Sequence, residues 1–457
     1  MSLLQQVLGI WREDNILRRV VKNSGHLLSG NVVSAGLAFL QGILAVRLIG
    51  VTQWGLVATV MVFATNINRL LSFRMSEVVV QRLGAALPRI SPDSSTGRGK
   101  KIEAAATVKA AMLTEAVTSV LAFLILVVLT PWAIGYFHQD IQTAPLFLLY
   151  GLILLSNIIT ESSTGVLQAT RRFDWIARIT ITQSVFTAAI ILFAFLSHGG
   201  ILEIILAYAI GKTINGFGLA ICALREVRGV LGADWWKAPL SSVPDLHGMF
   251  SFMINTNLNG TVYLFTRDNM TLYLAHLLSA TEVGYFSLAF TLVTFITLPL
   301  DPLIGPTYAE LTRTIALRQW EATRKLLRQV SWMTASVVIS VGTVLVLAGR
   351  FLLSFLYRPE ALPAYPAMLI LLVGYGFASV FQWNRPLLLA LGKPGYPVLV
   401  VFLVGLVELA LIYWLVPQFG YLALAAILSA YFVVSIGIIV RRGLTEMRLQ
   451  AAAALAD

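Results

Sequence analysis

The feature that most limits what this chain can become is a recurring block of about 20 apolar residues, the length a helix needs to cross some 30 Å of hydrocarbon. About twelve such blocks follow one another, at 26–49, 53–73, 104–134, 144–166, 179–198, 201–223, 247–275, 284–308, 330–356, 364–390, 396–416 and 420–440. Composition agrees. Of 457 residues, 58% are hydrophobic and 12% charged, and mean hydropathy is +0.81. A water-soluble domain runs nearer about 45–50% apolar and about 25% charged. The excess has no aqueous core to fill, since single cores stop growing at roughly 250–300 residues. The runs are also too long for barrel strands, which alternate over about ten residues. The expectation is an all-α polytopic membrane protein.

Two blocks depart from the pattern. Block 247–275 carries Asn255, Asn257, Asn259, Arg267 and Asp268, and 364–390 is interrupted by polar and Pro residues. No removable signal peptide is visible. Residues 1–25, with Arg12, Arg18, Arg19 and Lys22 among apolar neighbours, read as a basic amphipathic lead-in.

Positive residues collect in loops that stay cytoplasmic. With the N-terminus inside, the inside segments receive Arg12 to Lys22, Arg74 to Lys101, Arg171 to Arg178, Arg225 to Lys237, Arg313 to Arg328, Lys393, and Arg441 to Arg448. Of the remaining basic residues only Arg358 falls in an outside loop. A miscounted span would break this alternation. Both termini are therefore expected in the cytoplasm, with 447–457 as a tail.

The same distribution accounts for the net charge of +11. Nucleic-acid readers cluster their charge on one face; here it is spread over the inside loops, where it matches topology and anionic lipid. Cys222 is the only cysteine, which leaves no disulfide framework or multi-cysteine metal site. The five histidines form no HExxH arrangement. Gly211-Lys212-Thr213 matches the tail of a phosphate-binding P-loop, but Leu206 stands where its first glycine belongs. The stretch lies inside an apolar helix, where glycines serve packing. No metal, cofactor or enzymatic constellation is expected.

The chain repeats itself. Arg47-Leu48-Ile49-Gly50-Val51-Thr52-Gln53-Trp54-Gly55-Leu56 leaves the first block, and His276-Leu277-Leu278-Ser279-Ala280-Thr281-Glu282-Val283-Gly284-Tyr285 leaves the seventh. Leu167-Gln168-Ala169-Thr170-Arg171-Arg172 pairs in the same way with Leu388-Leu389-Ala390-Leu391-Gly392-Lys393. Both pairings lie six blocks apart, which implies two parallel six-helix halves, 26–235 and 236–446, around a central cavity.

Asn23-Ser24-Gly25-His26, the exit Leu44-Ala45-Val46-Arg47-Leu48-Ile49-Gly50 with Trp54-Gly55-Leu56, and the run Val283-Gly284-Tyr285-Phe286-Ser287-Leu288-Ala289 after Arg267-Asp268 resemble the polysaccharide-biosynthesis, or Wzx-type, flippases. These belong to the multidrug/oligosaccharidyl-lipid/polysaccharide exporter superfamily. The chain departs from the family pattern at Ser279, where Gly is common. The resemblance implies movement of an undecaprenyl-pyrophosphate-linked oligosaccharide from the cytoplasmic to the outer leaflet of a bacterial inner membrane. It implies membrane lipids, a polysaccharide polymerase and export proteins as partners. An ion-coupled small-molecule or multidrug exporter and a non-transporting scaffold of a polysaccharide-synthesis complex are the alternatives.

A sugar headgroup cannot cross hydrocarbon bare, because unsatisfied polar groups there cost several kcal/mol each. A pyrophosphate asks for cations, Arg best, and sugars ask for Asn, Gln, Tyr and Trp. Charges inside spans are the candidates, since they are costly unless they line a cavity or pair. Lys212 and Arg267 lead, followed by Arg47, Arg69, Lys109, Arg385 and Asn257 as substrate ligands, with Asp268 and Glu408 for ion coupling. The plainer reading is a buried pair for Lys212, Arg267 and Asp268, and a buried hydrogen bond to a neighbouring helix for Glu408. For Arg47, Arg69, Lys109, Glu115, Glu161 and Arg385 it is snorkelling. Asp301, between two prolines, marks a kink, and Trp383 and Asn384 are sugar contacts or packing.

Overall fold

A computed structural model describes residues 15–72, 75–87, 95–245, 248–250, 257, 261–262, 264–297, 299–300 and 303–456, with no side chain before Val33. The side chains of the basic lead-in, and Asn255, Asn259 and Asp301, lie outside the described residues. Most of the described residues are helical, and eight stretches are long and apolar enough to cross a membrane. Large apolar side chains face outward along them, Leu347 at 80%, Val128 at 75% and Phe193 at 71% exposure. Such a surface is stable only against lipid.

The helices are α1 (Asn15–Leu71), α2 (Met75–Ala86), α3 (Ser95–Tyr136), α4 (Ala144–Gly151), α5 (Ile153–Ser156), α6 (Thr160–Ala169), α7 (Phe173–Leu196) and α8 (Ile201–Leu231). After these come a π turn (Leu264–Asp268), α9 (Met270–Leu277), α10 (Ala280–Thr294), α11 (Ile304–Ala316), α12 (Trp320–Tyr357), α13 (Ala364–Val380), α14 (Asn384–Ala390) and α15 (Gly395–Ala456). The two longest are each a pair of helices run together. α1 breaks at Gly50, with φ 79°, and α15 at Gly420, with φ 68°. Positive φ is open to glycine and strained for other residues; Gly50 falls between the first two apolar blocks and Gly420 at the first residue of the last.

The chain forms two compact units. The first is Met1–Leu44, Ile67–Trp132 and Gln142–Leu258. Here α2 packs on α6, α6 on α8, and α7 on α8. Its core joins Val78, Val79 and Leu83 of α2, Ala105, Val108 and Ala111 of α3, Val166 and Leu167 of α6, and Leu219, Ala223 and Val227 of α8. The small residues set close spacing. A Cβ on Gly211 would strike the Thr187 hydroxyl, and one on Gly216 the carbonyl of Ser156. The apparent P-loop tail is therefore helix packing.

The second unit is Ala45–Asn66, Ala133–Ile141 and Asn259–Asp457. α13 packs on α15, α10 and α12. Residues 45–66 and 133–141 join it through contacts between equivalent places of the sequence repeat. Thr52 Oγ1 bonds Thr281 Oγ1 at 2.8 Å. A Cβ on Gly55 would strike the carbonyl oxygen of Ala280, and one on Gly284 that of Val51. Arg47 donates Nε to Leu356 O at 2.7 Å and its terminal nitrogen to Phe355 O, in the last turn of α12. His276, its counterpart, donates Nδ1 to Tyr136 O at 2.8 Å, the last residue of α3. Each half closes a free carbonyl end of a helix from the other.

The departure at Ser279 has a local reason. Its hydroxyl accepts from Glu282 N at 3.4 Å, and the Glu282 carboxylate accepts from Ser279 N at 3.4 Å, a reciprocal cap that opens α10. Gly50 holds the equivalent place in the first half and turns the chain by positive φ instead.

Candidate functional site

Each unit holds a polar cavity. In the second, a cavity of about 280 Å³ is lined by Arg267, Arg385, Tyr375, Gln382, Asn384, Tyr431, Phe432 and Ser435, with apolar neighbours. Arg267 leaves the π turn, a geometry frequent at functional sites. Its guanidinium lies 5.8 Å from the centre of the Phe432 ring, within cation–π range. Tyr375 packs edge-on against Phe432 at 4.8 Å and Phe290 at 5.7 Å, which fixes the aromatic wall. Gln382 Nε2 is buried without a hydrogen-bond partner among the described residues. Among the described residues no carboxylate is in the lining. Two guanidiniums, a carboxamide and aromatic edges are groups that can pair with an anion and face a sugar.

In the first unit, a cavity of about 160 Å³ is lined by Asn68, Leu71, Ser72, Glu115, Thr118, Ser119, Asn157, Thr160, Glu161, Lys212 and Asn215. Glu115, only 4% exposed, accepts from the backbone N–H of Glu161 at 2.7 Å and of Ser162 at 2.8 Å. It thus satisfies the free donors that open α6. Glu161 in turn accepts from Ser76 Oγ at 2.6 Å. Lys212 makes no hydrogen bond or ion pair among the described residues.

The expected residues separate accordingly. Arg267 and Arg385 share one cavity and Lys212 lines the other. Arg47 closes α12, Lys109 donates to Ala238 O at 3.1 Å, and Asn257 to Leu70 O at 2.9 Å. Arg69 is exposed in the last turn of α1. Asp268 ends the π turn beside Arg267 without lining the cavity. Glu408 is 2% exposed, both carboxyl oxygens buried without a partner among the described residues. Trp383 is packing, its Nε1 donating to Ser331 Oγ at 2.7 Å, whereas Asn384 lines the arginine cavity. Sequence reasoning missed Gln382, Tyr375, Tyr431 and Ser435. Their only signal is a polar or hydroxylated residue within an apolar helix.

Comparison with known proteins follows this geometry. The model of a family described as "Polysaccharide biosynthesis protein" matches residues 20–312. An "Inner membrane protein YghQ" of Escherichia coli (strain K12) is 25% identical over 359 residues, covering 78% of this chain and 97% of that protein. Among solved structures, the lipid II flippase MurJ in an inward closed conformation superposes with a TM-score of 0.66 at 13% identity, covering 93% of this chain and 91% of MurJ. An inward-facing multidrug resistance MATE family transporter of the MOP superfamily gives 0.66 at 11% identity, covering 92% and 95%. These likenesses establish the two-halved membrane transporter fold.

Proposed function

Because the chain belongs to the polysaccharide biosynthesis protein family, we propose that it is a flippase carrying a polyprenyl-pyrophosphate-linked oligosaccharide from the cytoplasmic to the outer leaflet of the inner membrane. The cargo serves exopolysaccharide, O-antigen or capsule synthesis. The observation that carries this reading is the cavity with Arg267 and Arg385 and, among the described residues, no lining carboxylate. A diphosphate entering a membrane interior loses its hydration, and guanidinium forks replace it with paired, charge-assisted donors. Gln382, Asn384 and the tyrosines meet the adjoining sugar, while the polyprenyl tail stays in lipid. Transport proceeds by alternating access, and Glu408 and Asp268 are the groups through which an ion gradient would act.

The multidrug alternative is supported less well. A cavity for cationic drugs wants carboxylates, and Arg267 and Arg385 would repel such ligands. A scaffold, by contrast, tolerates neutralising every buried charge.

The test is headgroup translocation of a fluorescent polyprenyl-pyrophosphate oligosaccharide in proteoliposomes, comparing the wild type with Arg267→Ala, Arg385→Ala and Lys212→Ala. Transfer by the wild type, reduced at least about tenfold in both arginine variants as expected for loss of a charge-assisted bond, supports the reading. Absence of transfer by folded wild type, with and without a proton gradient, overturns it. Transfer undiminished in every variant keeps the function and discards the site.

A further inference from the structure

The arginine cavity lies wholly within the second compact unit, and several of its hydroxyl donors are already bonded to the protein. Thr297 Oγ1 donates to Thr294 O at 2.8 Å, Ser435 Oγ to Tyr431 O at 2.6 Å, and Tyr431 Oη to Thr266 Oγ1 at 3.3 Å. Two carboxamides on one turn differ. Gln382 and Asn384 stand at the junction between α13, which ends at Val380, and α14, which begins at Asn384. Trp383 between them is 3% exposed, and the bond from its Nε1 to Ser331 Oγ pins the turn. Gln382 and Asn384 both line the cavity, as does Arg385, the next residue.

The two carboxamides offer opposite chemistry. Gln382 Nε2 is a buried donor with no acceptor among the described residues, a costly arrangement that a bound acceptor relieves. Asn384 Nδ2 donates to Phe381 O at 2.7 Å. A backbone carbonyl oxygen only accepts, so this bond fixes which end of Asn384 is nitrogen. It leaves Oδ1 as an acceptor that no hydrogen bond among the described residues uses. A secondary amide carries a carbonyl oxygen and an N–H side by side, the partners that these two groups lack. In a sugar joined to a diphosphate through its anomeric carbon, the substituent at C2 is the one nearest the phosphate. A 2-acetamido group therefore falls beside the diphosphate proposed for the arginines. A 2-hydroxyl is shorter and has a single oxygen with which to reach both carboxamides.

Resting on the flippase reading, we infer that Gln382 and Asn384 are specificity-determining residues that select a cargo whose first sugar, the one bonded to the diphosphate, bears a 2-acetamido group. Gln382 donates to the amide carbonyl of that group and Asn384 accepts from its N–H.

The experiment measures binding of purified full-length protein to polyprenyl pyrophosphate and to the same lipid bearing glucose, N-acetylglucosamine or 2-O-acetylglucose. The wild type is expected to bind the N-acetylglucosamine lipid about tenfold more tightly than the glucose lipid, the scale of a neutral hydrogen bond to an unpaired donor. The 2-O-acetyl lipid, which has the carbonyl without the N–H, falls between them. Gln382→Met keeps the side-chain length and removes the amide, so it abolishes the preference and leaves the bare lipid unchanged. Arg267→Ala weakens all four. Equal wild-type affinity for the glucose and N-acetylglucosamine lipids overturns the selectivity, whatever the variants do. So does a preference that persists in Gln382→Met, or an equal loss on every probe in that variant at an unchanged melting temperature. A 2-O-acetyl lipid bound as tightly as N-acetylglucosamine overturns the part given to Asn384. Each of these leaves the flippase reading standing, whereas wild type that binds none of the probes overturns both. Gln382 Nε2 carries no hydrogen bond among the described residues, so its loss leaves folding intact, and retained affinity for the bare lipid verifies it.

Discussion

Thr52 and Thr281, equivalent residues of the two sequence halves, are hydrogen-bonded to each other through their side-chain oxygens at 2.8 Å. Both residues belong to the second compact unit. Gly55 and Gly284 approach each other in the same way, whereas Arg47 and His276 each close the end of a helix from the opposite half of the sequence.

Replacing both threonines by cysteine should give a disulfide, because oxygens this close put the Cβ atoms within reach of the usual ~3.5–4.5 Å separation. Mild oxidation is expected to lock residues 45–66 onto α10 and to suppress transport, with reductant restoring it. Non-reducing gel mobility after cleavage between the halves reports the bond. Full transport by the oxidised protein would mean that this seam stays closed throughout the cycle.

Gly55→Val and Gly284→Val each force a side chain into the carbonyl of the facing helix. Overpacking of this kind costs about 1–3 kcal/mol, so the melting temperature in detergent should fall in both. Gly36→Val, at a helical glycine with nothing nearby, is the control and should change it little.

Glu115→Ala removes both acceptors from the N–H groups of Glu161 and Ser162. Buried donors left unmade cost about 1–3 kcal/mol each. Glu115→Gln keeps one acceptor, so stability should rank wild type, then Gln, then Ala. Equal loss in Gln and Ala would show that the carboxylate charge at the helix start, rather than its second oxygen, matters most.

Glu408 has no partner for either oxygen among the described residues, so Glu408→Gln exchanges one isosteric polar group for another and should shift stability by less than about 1 kcal/mol. If Glu408 couples transport to protons, this variant transports at the same rate with and without an imposed proton gradient, while the wild type responds to it. A Glu408→Gln variant with the wild-type response removes Glu408 from the coupling.

Much of this fold was legible because lipid imposes a simple rule on sequence. Apolar runs bounded by arginine gave the helices, and Gly50 and Gly420 stand at the breaks where the runs part. Arg267 and Arg385 were legible for the same reason, since a guanidinium inside a span needs somewhere polar to go. What hydropathy does not encode is which helix faces which. Arg47 has the same signature as Arg267, yet it serves the end of α12 because that end lies beside it. Glu115 and Glu161 read as snorkelling side chains near helix ends. Glu115 is instead buried against the start of α6, a start created by the irregular backbone between Ser156 and Thr160. Hydropathy carries no trace of that interruption.

The π turn at Leu264–Asp268 has a consequence in genetic terms. Such a turn is one codon more than an unbroken helix requires. Losing a codon there would restore ordinary pitch and swing the residues on one side by about 100° relative to the other. The Arg-Asp dipeptide would survive in the reading frame, but the guanidinium would no longer be aimed beside Phe432. A relative one residue shorter at this point can therefore keep every letter of the motif and lose the cavity's arginine, a difference that insertion and deletion record and substitution does not.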